Sequence, residues 1–216
     1  MKNYAVYVFS GIFAAAVVVH LCAIVLKKRR LQAASKILLL PPLLAAYIAG
    51  AYTPLVTVII AVAAGWAGDI FLINIKKPLF FRLGLASFLA GHICYIPSML
   101  RFTENISLPV LAVSAVLFLA GGIVLYRLIK PAAAMRVPVI FYEIAIILMS
   151  LAALQLLVSG KNAPGALAFA GSLLFLVSDS FLARFLFNTK PAWGDLAVMT
   201  SYIAAQAAIV SGLAAL

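Results

Sequence analysis

The chain has 216 residues, 67% of them hydrophobic and 10% charged, with sixteen Lys and Arg against five Asp and Glu for a net charge of +11. A soluble domain is about half apolar and a quarter charged, and a chain this short cannot bury two-thirds of itself in one aqueous core. Its bases fall in short clusters between apolar runs, so soluble enzyme, secreted disulfide scaffold and nucleic-acid binder are all excluded.

Runs long enough to cross a hydrocarbon core, about 20 residues each, lie at Ala5–Leu26, Ile37–Tyr52, Pro54–Ile75, Phe80–Leu100, Leu108–Leu128, Val137–Val158, Pro164–Phe187 and Leu196–Leu216. The expected fold is therefore all-α, a polytopic membrane protein of eight transmembrane helices in a single domain spanning residues 1–216. The second run is the shortest and carries Pro41 and Pro42 near its start. Proline is tolerated in a first helical turn, where its missing N–H costs no bond. The first run carries its basic cluster behind it rather than in front, which makes it a retained helix rather than a signal peptide.

Alternating the loops puts thirteen bases on one side, from Lys27 and Lys28 through Lys36, Lys76, Arg82, Arg127 and Arg136 to Lys190, and three on the other, Lys2, Arg101 and Lys161. The positive-inside rule then places both termini outside, in a bacterial inner membrane or its equivalent. Cys22 and Cys94 both fall within spans and are too few for a disulfide framework.

The two halves echo one another. Gly68-Asp69-Ile70-Phe71-Leu72 matches Ser178-Asp179-Ser180-Phe181-Leu182 at an offset of 110 residues, and His92 and Tyr202 each follow their aspartate by 23. Four helices per half would make this a parallel duplication, residues 1–106 and 107–216.

Three of the five acids, Asp69, Glu143 and Asp179, lie inside spans. A carboxylate in lipid costs on the order of 3 kcal/mol on insertion scales, so such residues normally face the bundle interior and serve function. Asp195 follows Gly194 at a helix start and reads as a cap. His92 and Tyr95 share a helix face, as do Tyr202 and Gln206. With Tyr142, Glu143 and Ser178, these residues are expected to line one cavity with the two aspartates, open to the cytoplasmic leaflet. His20 stands alone in the first span, so an interhelical hydrogen bond is its expected fate. Tyr4, Tyr7, Tyr47, Tyr52 and Trp193 read as interfacial belt residues, and Trp66 as packing. Gly84, Gly91, Gly121, Gly122, Gly165 and Gly171 are placed to let helices approach. There is no metal-ligand set, no nucleophile elbow and no phosphate-binding loop. No cofactor is expected, and the inventory points to carboxyl acid–base chemistry.

Four segments taken in order carry a resemblance: Gly68–Leu72, Gly84–Tyr95, Gly171–Ser180 and Ser201–Gln206. Together they resemble the YhhN family of lysoplasmalogenase-like integral membrane proteins. The resemblance implies hydrolysis of the vinyl-ether bond of a lysoplasmalogen, a lysophospholipid, to a fatty aldehyde and glycerophospho-ethanolamine or -choline, with Asp69 and Asp179 as catalytic aspartates. One would protonate carbon while the other stabilises the oxocarbenium ion or orients water, as in glycosidases. In this reading His92, Tyr202 and Gln206 hold water or the glycerol hydroxyl, and Lys36, Arg82 or Arg136 receives the phosphate. Membrane lipids surround the protein, and nothing in the sequence fixes its oligomeric state. The competing class is a proton-coupled small-molecule or lipid transporter, which buried acids and a repeated half also describe. A lipid-binding partner without catalysis is the third.

Overall fold

In hydrocarbon every backbone N–H and C=O must find a partner within its own segment or in the protein around it, and this chain does so with helices. The computed structural model describes residues 2–216, with side chains for all but residues 2, 3 and 134, so Lys2, a base expected on the outer face, falls outside the described side chains. No strand occurs among the described residues. The helices are α1 (Lys2–Val25), α2 (Arg29–Ile37), α3 (Leu40–Gly50), α4 (Val56–Leu72), α5 (Pro78–Leu100), α6 (Leu108–Ile129), α7 (Arg136–Val158), α8 (Asn162–Phe187) and α9 (Gly194–Ala214). Counting α2 and α3 as the single stretch Arg29–Gly50, seven are long and apolar enough to cross a membrane, and α4 is an eighth, apolar helix of 17 residues. At 1.5 Å per residue α4 is about 25 Å long, a little short of a typical hydrocarbon core. Its end tightens into three-residue hydrogen bonds from Ile73, Asn74 and Ile75. The protein is an all-α polytopic membrane protein.

The chain clusters into two compact units, Met1–Ser98 with Leu213–Leu216, and Met99–Gly212. In the first, α1 packs against α2 and α3, which in turn flank α4. The expected second span begins earlier than its hydropathy indicates, at Arg29, and is broken at Leu38 and Leu39. Pro41 and Pro42 cause the break, because neither can donate to a carbonyl four residues back. Helix α4 meets α5 along glycines. A Cβ at Gly68 would lie 2.6 Å from the Phe88 ring, and one at Gly91 would lie 3.1 Å from the Ala61 carbonyl.

In the second unit α7 packs most extensively on α8, and α6 on both. Gln155 of α7 accepts the Ser107 N–H at 2.8 Å and donates to the Ser107 carbonyl at 3.4 Å, tying down the start of α6. Gly165 lets α8 close on the Leu157 backbone, and Gly171 lets it close on Ala205 and Ile209 of α9. Gly121, expected to serve helix approach, has nothing within 4 Å of a Cβ built on it. Its role is instead to leave space open.

Two further expectations change. Tyr47 is buried rather than interfacial, and its hydroxyl accepts the N–H of Leu55 at the start of α4. That bond satisfies one of the donors a helix N-terminus leaves over. Asp195 does not act as a side-chain cap; both its oxygens accept from Lys190, at 2.7 and 2.8 Å, in the first turn of α9. His20 does find a partner across helices, as expected. Its Nδ1 lies 2.8 Å from Ser35 Oγ, which donates to the Leu31 carbonyl.

Candidate functional site

The acid of the first unit is Asp69, on α4 and 1% exposed. Lys36, in the last turn of α2, places its Nζ 3.3 Å from Asp69 Oδ1. Three residues before Asp69 and on the same face, Trp66 donates its indole N–H to the Ile37 carbonyl at 2.8 Å. That carbonyl is one that Pro41 leaves without its helical donor. One face of α4 thus holds the end of α2 by an ion pair and a hydrogen bond. On α2 itself, Gln32, Ser35 and Lys36 form one face at helical spacing. Gln32 donates to the Ala23 carbonyl of α1, Ser35 meets His20, and Lys36 meets Asp69. Because Ser35 Oγ spends its proton on Leu31, it accepts from His20 Nδ1, which makes His20 a donor there and not a base for the serine.

Lys36, expected as a phosphate receptor at the rim, is therefore engaged by Asp69, with its side chain only 18% exposed. Arg82, in the second turn of α5, and Arg136, at the start of α7, are exposed. His92 and Tyr95 are both buried on α5.

The acid of the second unit is Asp179 on α8. Tyr142 of α7 donates its hydroxyl to Asp179 Oδ2 at 2.7 Å. A cavity of about 40 Å³ is lined by Tyr142, Glu143, Asp179 and Ser180 together with Ile129, Val139, Ile146, Leu176 and Ala183. Glu143 thus joins Asp179 at one cavity, and its Oε1 is buried with no hydrogen-bond partner. Gly122 of α6 makes room for that carboxyl group, since a Cβ there would lie 2.9 Å from Oε1. A second cavity, of about 330 Å³, lies between α6, α7 and α8 and is lined by Ser114, Phe118, Gly121, Gly122, Ile147, Leu154, Phe169 and Leu176 among others. Leu176 borders both cavities.

Ser178 faces α9 rather than this cavity and donates to the Val198 carbonyl at 3.1 Å. Tyr202 is buried against Phe175, ring edge to face, with centroids 5.5 Å apart. Gln206, one turn on, is 1% exposed. The sequence placed Glu143, Tyr142 and Asp179 among the site residues but gave no sign of the chain-sized cavity beside them. Its written trace is the pair Gly121-Gly122 of α6, both of which line it.

No curated protein and no solved structure matches the chain. The family model for the YhhN family matches residues 31–213. That match extends over both units and most of the chain, including Asp69, Glu143 and Asp179, and the protein belongs to the YhhN family.

Proposed function

We propose that the protein is a membrane-embedded hydrolase that cleaves the vinyl-ether bond of a single-chain phospholipid, releasing a fatty aldehyde and a glycerophospho-alcohol. The observation that carries this reading is the pair of adjoining cavities in the second unit. One is small and flanked by the carboxyls of Asp179 and Glu143, and the other is apolar and about 330 Å³ in volume. An apolar cavity of about 150 Å³ takes up benzene, so on that scale the larger one suits on the order of a dozen chain carbons. An amphiphile with one chain fits a polar pocket beside an apolar one.

In this reading a carboxylic acid protonates the vinyl carbon, and the resulting oxocarbenium ion is stabilised by a carboxylate and captured by water. Asp69 is ion-paired with Lys36, and an ion-paired carboxylate has no proton to give, so we assign it to cation stabilisation and Asp179 to proton donation. Arg82 and Arg136 take over the phosphate-binding role from Lys36. His92, Tyr95, Tyr202 and Gln206 supply the remaining polar contacts to water and the glycerol hydroxyl. A cytoplasm-facing site with both termini outside belongs to the same proposal.

Purified protein offered alkenyl and alkyl lysophospholipids tests it. Aldehyde should appear from the alkenyl lipid alone, because the alkyl ether lacks the double bond that accepts the proton. Asp69→Asn and Asp179→Asn should each lower turnover at least 100-fold, the scale of lost acid–base catalysis, while leaving the protein folded. Normal turnover in either variant would refute its role.

The broken segment at Leu38 and Leu39, beside a buried acid, favours a second reading, since carriers bind substrate at interrupted helices. The corresponding helix of the second unit, α7, runs unbroken from Arg136 to Val158, whereas carriers built on repeats interrupt both copies. Substrate movement across liposomes without cleavage would establish the carrier instead.

A further inference from the structure

We propose that Glu143 is a third carboxyl of the reaction, which holds the hydrolytic water against Asp179 and takes its proton. The base role rests on the hydrolase reading above; the water site itself does not. The first support is space. A cavity needs roughly 10–15 Å³ to hold a water, and the one between Glu143 and Asp179 offers about 40 Å³, room for about three or four on that measure.

The second support is an unmet bond. Glu143 Oε1 is buried without a hydrogen-bond partner, in a protein class where an unsatisfied polar group is costly. A buried water with two to four polar neighbours is the usual remedy, and Glu143, Asp179, Tyr142 and Ser180 all line this cavity. The third is shape: α6 presents glycine at position 122, where any Cβ would press on the Glu143 carboxyl at 2.9 Å. Tyr142 donates to Asp179 Oδ2 and fixes that carboxyl from the α7 side, one residue before Glu143.

Two carboxyl groups on either side of a water are the arrangement by which inverting glycosidases run acid and base together. Here Asp179 gives its proton to the vinyl carbon, the C=C π bond breaks, and an oxocarbenium ion forms. The water oxygen bonds to the neighbouring, oxygen-bearing carbon of that ion as its proton passes to Glu143, which yields a hemiacetal. The hemiacetal C–O bond to glycerol then breaks, and the hydroxyl proton leaves with the glycerol oxygen. One water is consumed and one aldehyde and one alcohol are formed. Glu143 has gained the proton that Asp179 lost, and the shared cavity is the route by which it returns.

Two measurements on the full-length protein in lipid nanodiscs test this. X-ray hydroxyl-radical footprinting labels aromatic rings beside bound water, so Tyr142 should be oxidised in the wild type and at least five-fold less in Glu143→Leu. An unlabelled Tyr142 in the wild type overturns the water site. The second measurement is turnover of an alkenyl lysophosphatidylcholine by Glu143→Gln and Glu143→Asp. In Glu143→Gln kcat should fall about 100-fold with KM unchanged, and the rise of kcat with pH that reports the base should vanish. Glu143→Asp, which restores a carboxylate, should recover part of kcat and that pH limb. Wild-type kcat in Glu143→Gln, or a loss that Glu143→Asp does not relieve, overturns the base role. A labelled Tyr142 in a wild type that releases no aldehyde upholds the water site and overturns the base role together with the hydrolase reading.

Discussion

Replacing Lys36 by Met separates the two jobs open to Asp69. The native pair is 3.3 Å apart, with Asp69 1% exposed and the Lys36 side chain 18% exposed. Removing one partner of a buried ion pair costs about 3–5 kcal/mol, because the other charge is left uncompensated, whereas an exposed pair is worth 0–1. Lys36 retains some access to its surroundings, so the low end applies, about 3 kcal/mol, or roughly a hundredfold in the unfolding equilibrium. The double variant Lys36→Met with Asp69→Asn removes both charges and should recover most of that loss, as replacing a whole buried pair is often neutral. Denaturant unfolding in mild detergent, followed by tryptophan fluorescence and far-ultraviolet dichroism, measures both variants against the wild type. If Lys36→Met alone costs less than about 1 kcal/mol, or if the double variant is no more stable than the single, the pair is not held as the geometry indicates.

Trp66→Phe should cost about 1 kcal/mol, the scale of hydrogen bonds between membrane helices, and clearly less when combined with Pro41→Ala, which returns a helical donor to the Ile37 carbonyl. Equal costs in both backgrounds, read by the same unfolding assay, would sever the link between the proline break and the indole. Gly171→Ala should destabilise by about 1–3 kcal/mol, since its Cβ would lie 2.7 Å from Ile209 and 2.9 Å from the Ala205 carbonyl. Gly121→Ala, with nothing in reach, should leave thermal stability unchanged. Glu104, in the loop between α5 and α6, accepts from the ammonium of Lys161, in the turn between α7 and α8, at 2.8 Å, and this bond holds its carboxyl below the usual range. A lowered value means the pair is formed above the ordinary carboxylate value and is lost as pH falls through the depressed one. A ¹³C carboxyl titration should show that depression, and Lys161→Met should return Glu104 to the ordinary glutamate range.

The spans were legible because hydropathy over about 20 residues is the strongest signal a membrane chain carries, and the structure has helices on all eight runs. The segment from Lys27 to Lys36 was not. It reads as a charged loop of the positive-inside pattern, yet Arg29–Ile37 is helical and amphipathic, with Arg29 and Arg30 outward and Gln32, Ser35 and Lys36 turned to α1 and α4. An average over a window discards that periodicity. The prolines did announce the freed carbonyls at Ile37 and Leu38, but nothing local says that an indole 29 residues later will meet one of them. Tyr47 was misplaced for a similar reason, since its distance from a span end resembles that of belt residues, and only the turn at residues 51–55 brings the α4 N-terminus to its hydroxyl.

The two acids show how a shared motif can acquire unlike chemistry. In each unit the aspartate lies on the third apolar segment and is held by a side chain from the second, Lys36 for Asp69 and Tyr142 for Asp179. The aspartates are 110 residues apart and their partners 106, so the partner has moved by one helical turn between the halves. This correspondence supports the duplication we propose, because chance similarity around two aspartates would not carry a partner on the matching segment. A cation beside the first acid and a neutral hydroxyl beside the second differentiate what a copied motif would otherwise leave alike. Acid–base catalysis needs that difference, since two carboxyls in identical surroundings would give and take protons at the same pH. Exchanging the partners is the direct probe: Lys36→Tyr with Tyr142→Lys should leave both aspartates bonded and turnover lost.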